Sequence, residues 1–440
     1  MDRVIVAGAG LAGSEAAWQL AKRGIPVTLI EGKPEYYSPA HTSPLFAELV
    51  CSNSLRANAL TNAVGLLKEE LRQLGSLVME AADHAAIPAG GALAVDREAF
   101  SGEITRRLEK HPLVRVERRY LEELPPPPCV IATGPLTEGK LAEKISGMAE
   151  GRLLHFHDAV APIVTAESVN MEIAFRASRS GGRGDYINCP LTKEEYYAFV
   201  RELVAARCAP LRSFEEAPKI FEGCMPVEVM AARGPLTLAY GPLKPVGLIN
   251  PRTNRQPFAA VQLRQDDGAA TLYNMVGFQT RLTFPEQKRV FSMIPGLENA
   301  VFSRYGVMHR NTYLESPGFL DTEYQCICRP MMYFAGQMTG VEGYVESVSS
   351  GFTAGVSLAR QLLGKKPVDL TDCTIIGALA RYISNPAQKE LVPMNASFGL
   401  MAPFGKPIKG SLRREAWVAR SMLVIDTIRD MILEDIKWSN

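Results

Sequence analysis

The chain has 440 residues, enough for two or three domains, and its 47% hydrophobic and 22% charged content is that of a folded globular protein, which excludes a disordered or fibrous one. With 48 basic and 47 acidic residues the net charge is +1, so no global field draws in a polyanion and a nucleic acid would have to meet a local basic patch. No run of about 18 apolar residues is present to make a transmembrane helix, and eight cysteines without a Cys-x-x-Cys pair are too sparse for a disulfide framework. The expectation is a cytoplasmic protein with reduced thiols and no signal peptide.

The first thirty residues carry the clearest pattern. Arg3 to Ala7 is a β-branched apolar run, Gly8-Ala9-Gly10-Leu11-Ala12-Gly13 follows, Ser14 to Arg23 reads as a helix stopped at Gly24, and Val27 to Glu31 is a second strand. This is a βαβ unit whose glycines let the backbone approach a pyrophosphate, with the N–H groups at the helix start aimed at the phosphates. Glu31 lies 18 residues past Gly13, placed to accept hydrogen bonds from a ribose.

Further along, Cys51 stands in Glu48-Leu-Val-Cys-Ser-Asn-Ser-Leu-Arg56, where an apolar run gives way to hydroxyl and amide groups. Cys224 stands between Gly223 and Pro226. A thiol acts chemically as the thiolate, which needs polar neighbours and access, so both settings are compatible with reactive sulfurs; a buried inert cysteine is the competing reading. Cys129-Val-Ile-Ala-Thr133-Gly134 is a buried strand ending in a turn. Roughly 165 to 325 has a different texture, with strands expected at Asn170–Phe175 and Pro257–Leu263, a helix at Lys193–Arg207, and many Pro and Gly turns. Cys326 and Cys328 are two apart, and on a strand they would share a packed face. Met332 to Gly336-Gln337 is another strand ending in glycine, and a helix of small residues begins near Glu346. Residues 380 to 440 read as helical, with a basic amphipathic stretch at Leu412–Lys437.

An N-terminal nucleotide fold completed by a C-terminal strand, glycine loop and small-residue helix resembles the glutathione-reductase-type FAD fold. The fold class is therefore α/β, a Rossmann FAD-binding domain (1–165 and 325–440) with an inserted α+β domain (166–324). FAD would contact Gly8, Ala9, Gly10, Leu11, Ala12, Gly13, Glu31, Thr133, Gly134, Gly336 and Gln337. Basic patches lie at Arg115–Arg119, Arg176–Arg183 and Lys406–Arg420. Lys244 and Arg264 could meet phosphates or form surface ion pairs. His155 and His157 have no third ligand at recognisable spacing, so no metal site is expected.

Longer blocks go beyond the fold. Cys51-Ser-Asn-Ser-Leu55, Gly75-Ser-Leu-Val-Met-Glu-Ala-Ala-Asp83, Asp185-Tyr-Ile-Asn-Cys-Pro190, Arg304-Tyr-Gly-Val-Met-His-Arg-Asn-Thr-Tyr313 and Gly340-Val-Glu-Gly-Tyr-Val-Glu-Ser347 occur in order along the chain. In these the chain resembles the bacterial folate- and FAD-dependent tRNA (uracil-5-)-methyltransferase family. The resemblance implies methylenetetrahydrofolate as carbon donor, NAD(P)H as reductant and a T-loop uridine of tRNA as target. It also implies that Cys51 and Cys224 are the functional thiols: Cys224 would add to uracil C6, making C5 nucleophilic, and Cys51 would handle the proton. His309, Tyr344 and Glu346 are candidate folate neighbours, and Arg413 and Arg414 candidate RNA contacts. Arg56–Leu60 and Arg176–Gly184 depart from the family's usual pattern. Ribosomal RNA as target, or a plain FAD/NAD(P)H oxidoreductase, are the alternatives.

Overall fold

A computed structural model describes residues 3–38, 40–151, 153–179, 181, 184–209, 225–388, 390–406 and 408–437. The apolar run at the start forms β1 (Val4–Ala7), the chain turns at Gly8 with φ of +93°, and α1 (Leu11–Lys22) follows. Only glycine takes that backbone without strain, and a Cβ there would stand 2.5 Å from the Ala132 carbonyl oxygen. The helix starts three residues before the expected Ser14, because the glycine turn itself is its first turn. β2 (Val27–Glu31) lies parallel to β1. β3 (Ser54–Ala57) follows the Cys51 loop and leads to α2 (Ala63–Gln73). β4 (Val114–Arg118) and β5 (Cys129–Ile131) add to the first sheet.

β6 (Leu153–Ala159) leaves this lobe. Beyond it, β7 (Ile163–Thr165), β8 (Phe175–Ala177), β9 (Tyr186–Leu191), α3 (Lys193–Ala205), β10 (Ala259–Gln265), β11 (Leu272–Met275) and β12 (Phe302–Arg304) build a second lobe. Its sheet is antiparallel in the order β8-β9-β10-β11-β7-β12. α3 opens with a capping box, Thr192 against Glu195, and packs Tyr196, Phe199 and Leu203 inward. The expected strand Asn170–Phe175 is a turn for most of its length. Asn170 accepts N–H bonds from Glu172 through its side chain and from Ile173 and Ala174 through its carbonyl, which folds the segment back before β8 begins.

β13 (Met308–Leu314) returns antiparallel to β6, so a two-stranded ribbon joins the lobes. β14 (Met332–Phe334) then pairs with β5, giving the parallel order β14-β5-β1-β2-β4. α4 (Tyr344–Leu362) starts two residues before the expected Glu346. It lies directly on α1: a Cβ at Gly351 would overlap the Ala12 backbone, and one at Gly355 would crowd Ala16. Among the described residues from Ile375 onward only α5 (Ile375–Ser384) and α6 (Gly410–Leu433) are long helices, so the stretch expected to be helical from 380 to 440 is mostly loop between these two. The amphipathic pattern expected of α6 is a narrow stripe, with Ser421, Ile425, Ile428 and Ile432 buried.

Two large cores result, beside a small cluster of Phe175, Leu248 and Ala260. One runs from Val4 to Ala149 and resumes at Leu314, the other lies between Ala161 and Ala300. Glu70 on α2 ties the C-terminal helices to the first core: its carboxylate accepts the Ile375 and Ile376 N–H groups at the start of α5 and the Ser421 hydroxyl of α6. No described helix is long and apolar enough to cross a membrane.

Candidate functional site

A cavity of about 220 Å³ opens along the carboxyl ends of the first sheet. Gly8, Gly10, Leu11, Ala12, Glu31, Thr133, Gly134, Gly336, Gln337 and Tyr344 all line it. Two of the expected contacts act from behind the wall. The Ala9 N–H donates to Glu31 Oε2 at 2.8 Å, and a Cβ at Gly13 would overlap the Gly8 carbonyl oxygen, so Gly13 lets α1 close onto the turn. Glu31 Oε1 accepts the Lys33 N–H at 3.0 Å, which fixes the carboxylate at the end of β2.

The walls suit a dinucleotide. α1 begins without a side-chain cap, leaving its first N–H groups available to a pyrophosphate. Gly10 has open space where a Cβ would be. At the far end Tyr36 and Tyr120 pack ring to ring with centroids 4.4 Å apart, and Tyr36 hydrogen-bonds Glu138. Lys33 and His41 also face the cavity. Lys33 donates to the Leu45 carbonyl and pairs with Glu48 at 3.4 Å, while burial pushes the His41 pKa down, helped by Lys33.

Cys51 directly follows Val50, which lines this cavity, and groups from both lobes hold the Cys51–Asn53 segment. The Tyr344 phenol oxygen accepts the Cys51 N–H at 2.8 Å and the Ser52 N–H at 3.1 Å. The Cys51 Sγ is 3.7 Å from the Ala159 carbonyl at the end of β6. Burial and the nearby Cys51 both push the Tyr344 pKa up, so the phenol keeps its proton and has it to give. From β10, Arg264 donates to Ser52 Oγ at 2.6 Å and Asn53 Oδ1 at 3.0 Å. Asn53 in turn donates to the Val95 and Gln265 carbonyls. Arg97 pairs with Asp266 at 3.0 Å and reaches the Leu49 carbonyl. Arg304 is the third guanidinium whose charge acts on Cys51. A thiol among three cations has an environment that favours its thiolate.

Arg264 is thus neither a phosphate contact nor half of a surface ion pair. It is 8% exposed and spans the seam between the lobes, and burial lowers its pKa. Glu346 does not line the cavity. It is fully buried, pairs with Arg56, accepts the Ala396 N–H at 2.7 Å, and keeps Oε2 unpartnered. Lys68, below the same loop, donates to the Leu55 and Ala57 carbonyls, and burial pulls its pKa down to about 7.

Cys224 lies outside the described residues, as do the side chains of His155, His157 and His309. Of the basic patches, Arg118 is consumed by the Lys33 and Pro44 carbonyls and Glu109, while Arg115 and Arg119 pair with Glu117. Arg176 and Arg179 donate to Tyr273 and to the Pro242 carbonyl. Lys244 is exposed. Arg413 and Arg414 are exposed on the first turns of α6, away from the cavity lining. Arg413 lies over the Trp417 ring, which stacks on Phe398 with centroids 5.1 Å apart.

Fold and site together define a two-lobed, glutathione-reductase-type α/β protein with a dinucleotide cavity and a cysteine next to its wall. The chain belongs to the glucose inhibited division protein A family, whose model matches residues 3–366. It is 55% identical to the methylenetetrahydrofolate--tRNA-(uracil-5-)-methyltransferase TrmFO of Acetivibrio thermocellus, over 97% of this chain and 98% of that one. It is also 55% identical to the protein of the same description from Pelotomaculum thermopropionicum, over 98% and 99% of the two chains. In fold it is similar to GidA of Aquifex aeolicus, with a TM-score of 0.70 at 15% identity, covering all of this chain and 76% of that one.

Proposed function

We propose that the protein methylates C5 of a uracil in tRNA, taking the carbon from methylenetetrahydrofolate, with FAD in the first-lobe cavity and NAD(P)H as reductant. The target is a T-loop uridine and the setting the cytoplasm. The observation that supports this most directly is the Cys51 loop beside a dinucleotide cavity, with the Cys51 N–H held by Tyr344 of one lobe and the adjoining Ser52 held by Arg264 of the other. The near full-length relatives named for this reaction supply its substrates.

In this reading the glycine turn and the start of α1 bind the pyrophosphate, Glu31 takes a ribose hydroxyl, and Thr133, Gly134, Gly336 and Gln337 border the ring system. The flavin supplies the electrons that turn a methylene into a methyl. Cys224 adds to uracil C6 and so loads electron density onto C5. Cys51 removes or returns the C5 proton, its thiolate favoured by Arg97, Arg264 and Arg304. His309 and Tyr344 border the folate. The target base is buried in a folded RNA loop and must be turned out to reach the site. Arg413 and Arg414 meet the RNA backbone.

The test is transfer of labelled carbon from methylenetetrahydrofolate to uridine in tRNA by the purified, yellow protein. Cys224→Ala and Cys51→Ala are each expected to keep flavin and lose transfer. Full transfer by Cys224→Ala, or transfer from S-adenosylmethionine alone, would overturn the reading.

A further inference from the structure

Cys326 and Cys328 do not lie on a strand. They sit in the chain reversal that precedes β14, and their sulfurs are 3.0 Å apart. Backbone bonds hold Cys326 and shape the turn that carries Cys328: the Cys326 N–H donates to the Met332 carbonyl at 2.8 Å, the Ile327 N–H to the Phe319 carbonyl at 3.0 Å, and the Arg329 N–H to the Cys326 carbonyl at 3.2 Å. The two sulfurs are unequal. Cys326 is buried at 1% exposure, whereas Cys328, Arg329 and Pro330 are exposed. A covalent S–S bond is roughly 2.05 Å, so a shift of about 1 Å separates contact from bond, within reach of side-chain rotation alone. Neither residue lines the dinucleotide cavity.

We propose that Cys326 and Cys328 form a modification site for hydroperoxides, at which the two thiols are oxidised to an intramolecular disulfide. Exposed Cys328 attacks one peroxide oxygen. The O–O bond breaks, water (or an alcohol) leaves, and Cys328 becomes a sulfenic acid. The Cys326 sulfur then displaces the sulfenic hydroxyl as a second water and the S–S bond forms. The peroxide is reduced by two electrons, and the two thiols together lose two hydrogens. Burial pushes the Cys326 thiol up to about 12, which assigns it the second step, where its partner is already in contact. A small thiol restores both groups by exchange at the exposed Cys328 sulfur. The site is independent of the reaction at Cys51.

The test uses the full-length, flavin-loaded protein and hydrogen peroxide, followed by thiol blocking with N-ethylmaleimide and peptide mass analysis. The peptide carrying residues 326–328 should appear unblocked and lighter by two hydrogens, and dithiothreitol should restore blocking at both positions. Its oxidation should run about tenfold faster than that of half-buried Cys373. In Cys326→Ser, dimedone should trap a sulfenic acid on Cys328. Blocking of both cysteines after peroxide treatment, or passage of Cys328 in the wild-type chain straight to sulfinic acid, would overturn the proposal.

Discussion

In the first lobe the groups set for the pyrophosphate and ribose are backbone or held by backbone: a left-handed glycine, the first N–H groups of α1, and a carboxylate locked by two amides. In the second lobe the groups that reach the same site are side chains, above all Arg264 on β10. Backbone groups are fixed as soon as their own lobe folds. Side chains that cross a seam are fixed only when both lobes are in register. The dinucleotide cavity is therefore a property of one lobe, and the orientation of Cys51 a property of two.

The largest effect should come from breaking the backbone-built half. Gly13→Val would drive a side chain into the Gly8 carbonyl and push α1 off the turn, so the variant should purify without flavin, read from its visible absorbance. The seam-built half should break without that loss. Arg264→Gln removes charged hydrogen bonds to Ser52 and Asn53, which costs about 2–3 kcal/mol, or roughly a hundredfold in methyl transfer, with bound flavin unchanged. If flavin is lost as well, the division between the lobes fails.

Glu70 offers a subtler probe inside the first lobe. Burial raises its carboxyl from 4.5 to about 7, against three donors that favour the charge. The folded state then holds a proton that the unfolded chain has already released. The stability this gives is full below pH 4.5 and is lost as pH rises through 7. Glu70→Gln should flatten that fall in Tm, an effect of at most about 3 kcal/mol. The smallest effect belongs to the surface. Replacing Arg413 and Arg414 with alanine should weaken tRNA binding and lower its salt slope by about 1.5, with flavin and the Cys51 loop untouched.

The parts of the site legible in the sequence are those where one residue type is needed for a local reason. Gly8 must turn left-handed, Gly13 must admit a neighbouring carbonyl, and Glu31 ends the second strand of a βαβ unit, so spacing alone locates them. Arg264 was not legible. From the sequence Arg264 reads as a phosphate contact or half of a surface ion pair, yet all seven residues of β10 are buried. The partner that explains this, Asn53, is 211 residues away, and no local pattern reports such a pairing. The one available signal was a strand with polar residues on one side and no charge run to solvate it. Asn170–Phe175 was misread for the opposite reason: Met171, Ile173 and Phe175 alternate like a strand, but the Asn170 side chain captures a nearby amide and wins locally. Cys326 and Cys328 likewise carried no mark of lying in a reversal rather than on a strand.

The close crossing of α1 and α4 sets an order of events during synthesis. β1, α1 and β2 leave the ribosome first, but the strand that flanks β5 ends at Phe334 and the helix that covers α1 begins only at Tyr344. Until then the glycine turn has no lid, its sheet has a bare edge, and a complete second lobe stands between the two halves that must meet. The cavity that begins the chain is thus finished only after the whole second lobe has been made, and a product truncated before Tyr344 would carry the fingerprint of a dinucleotide site without the means to close one.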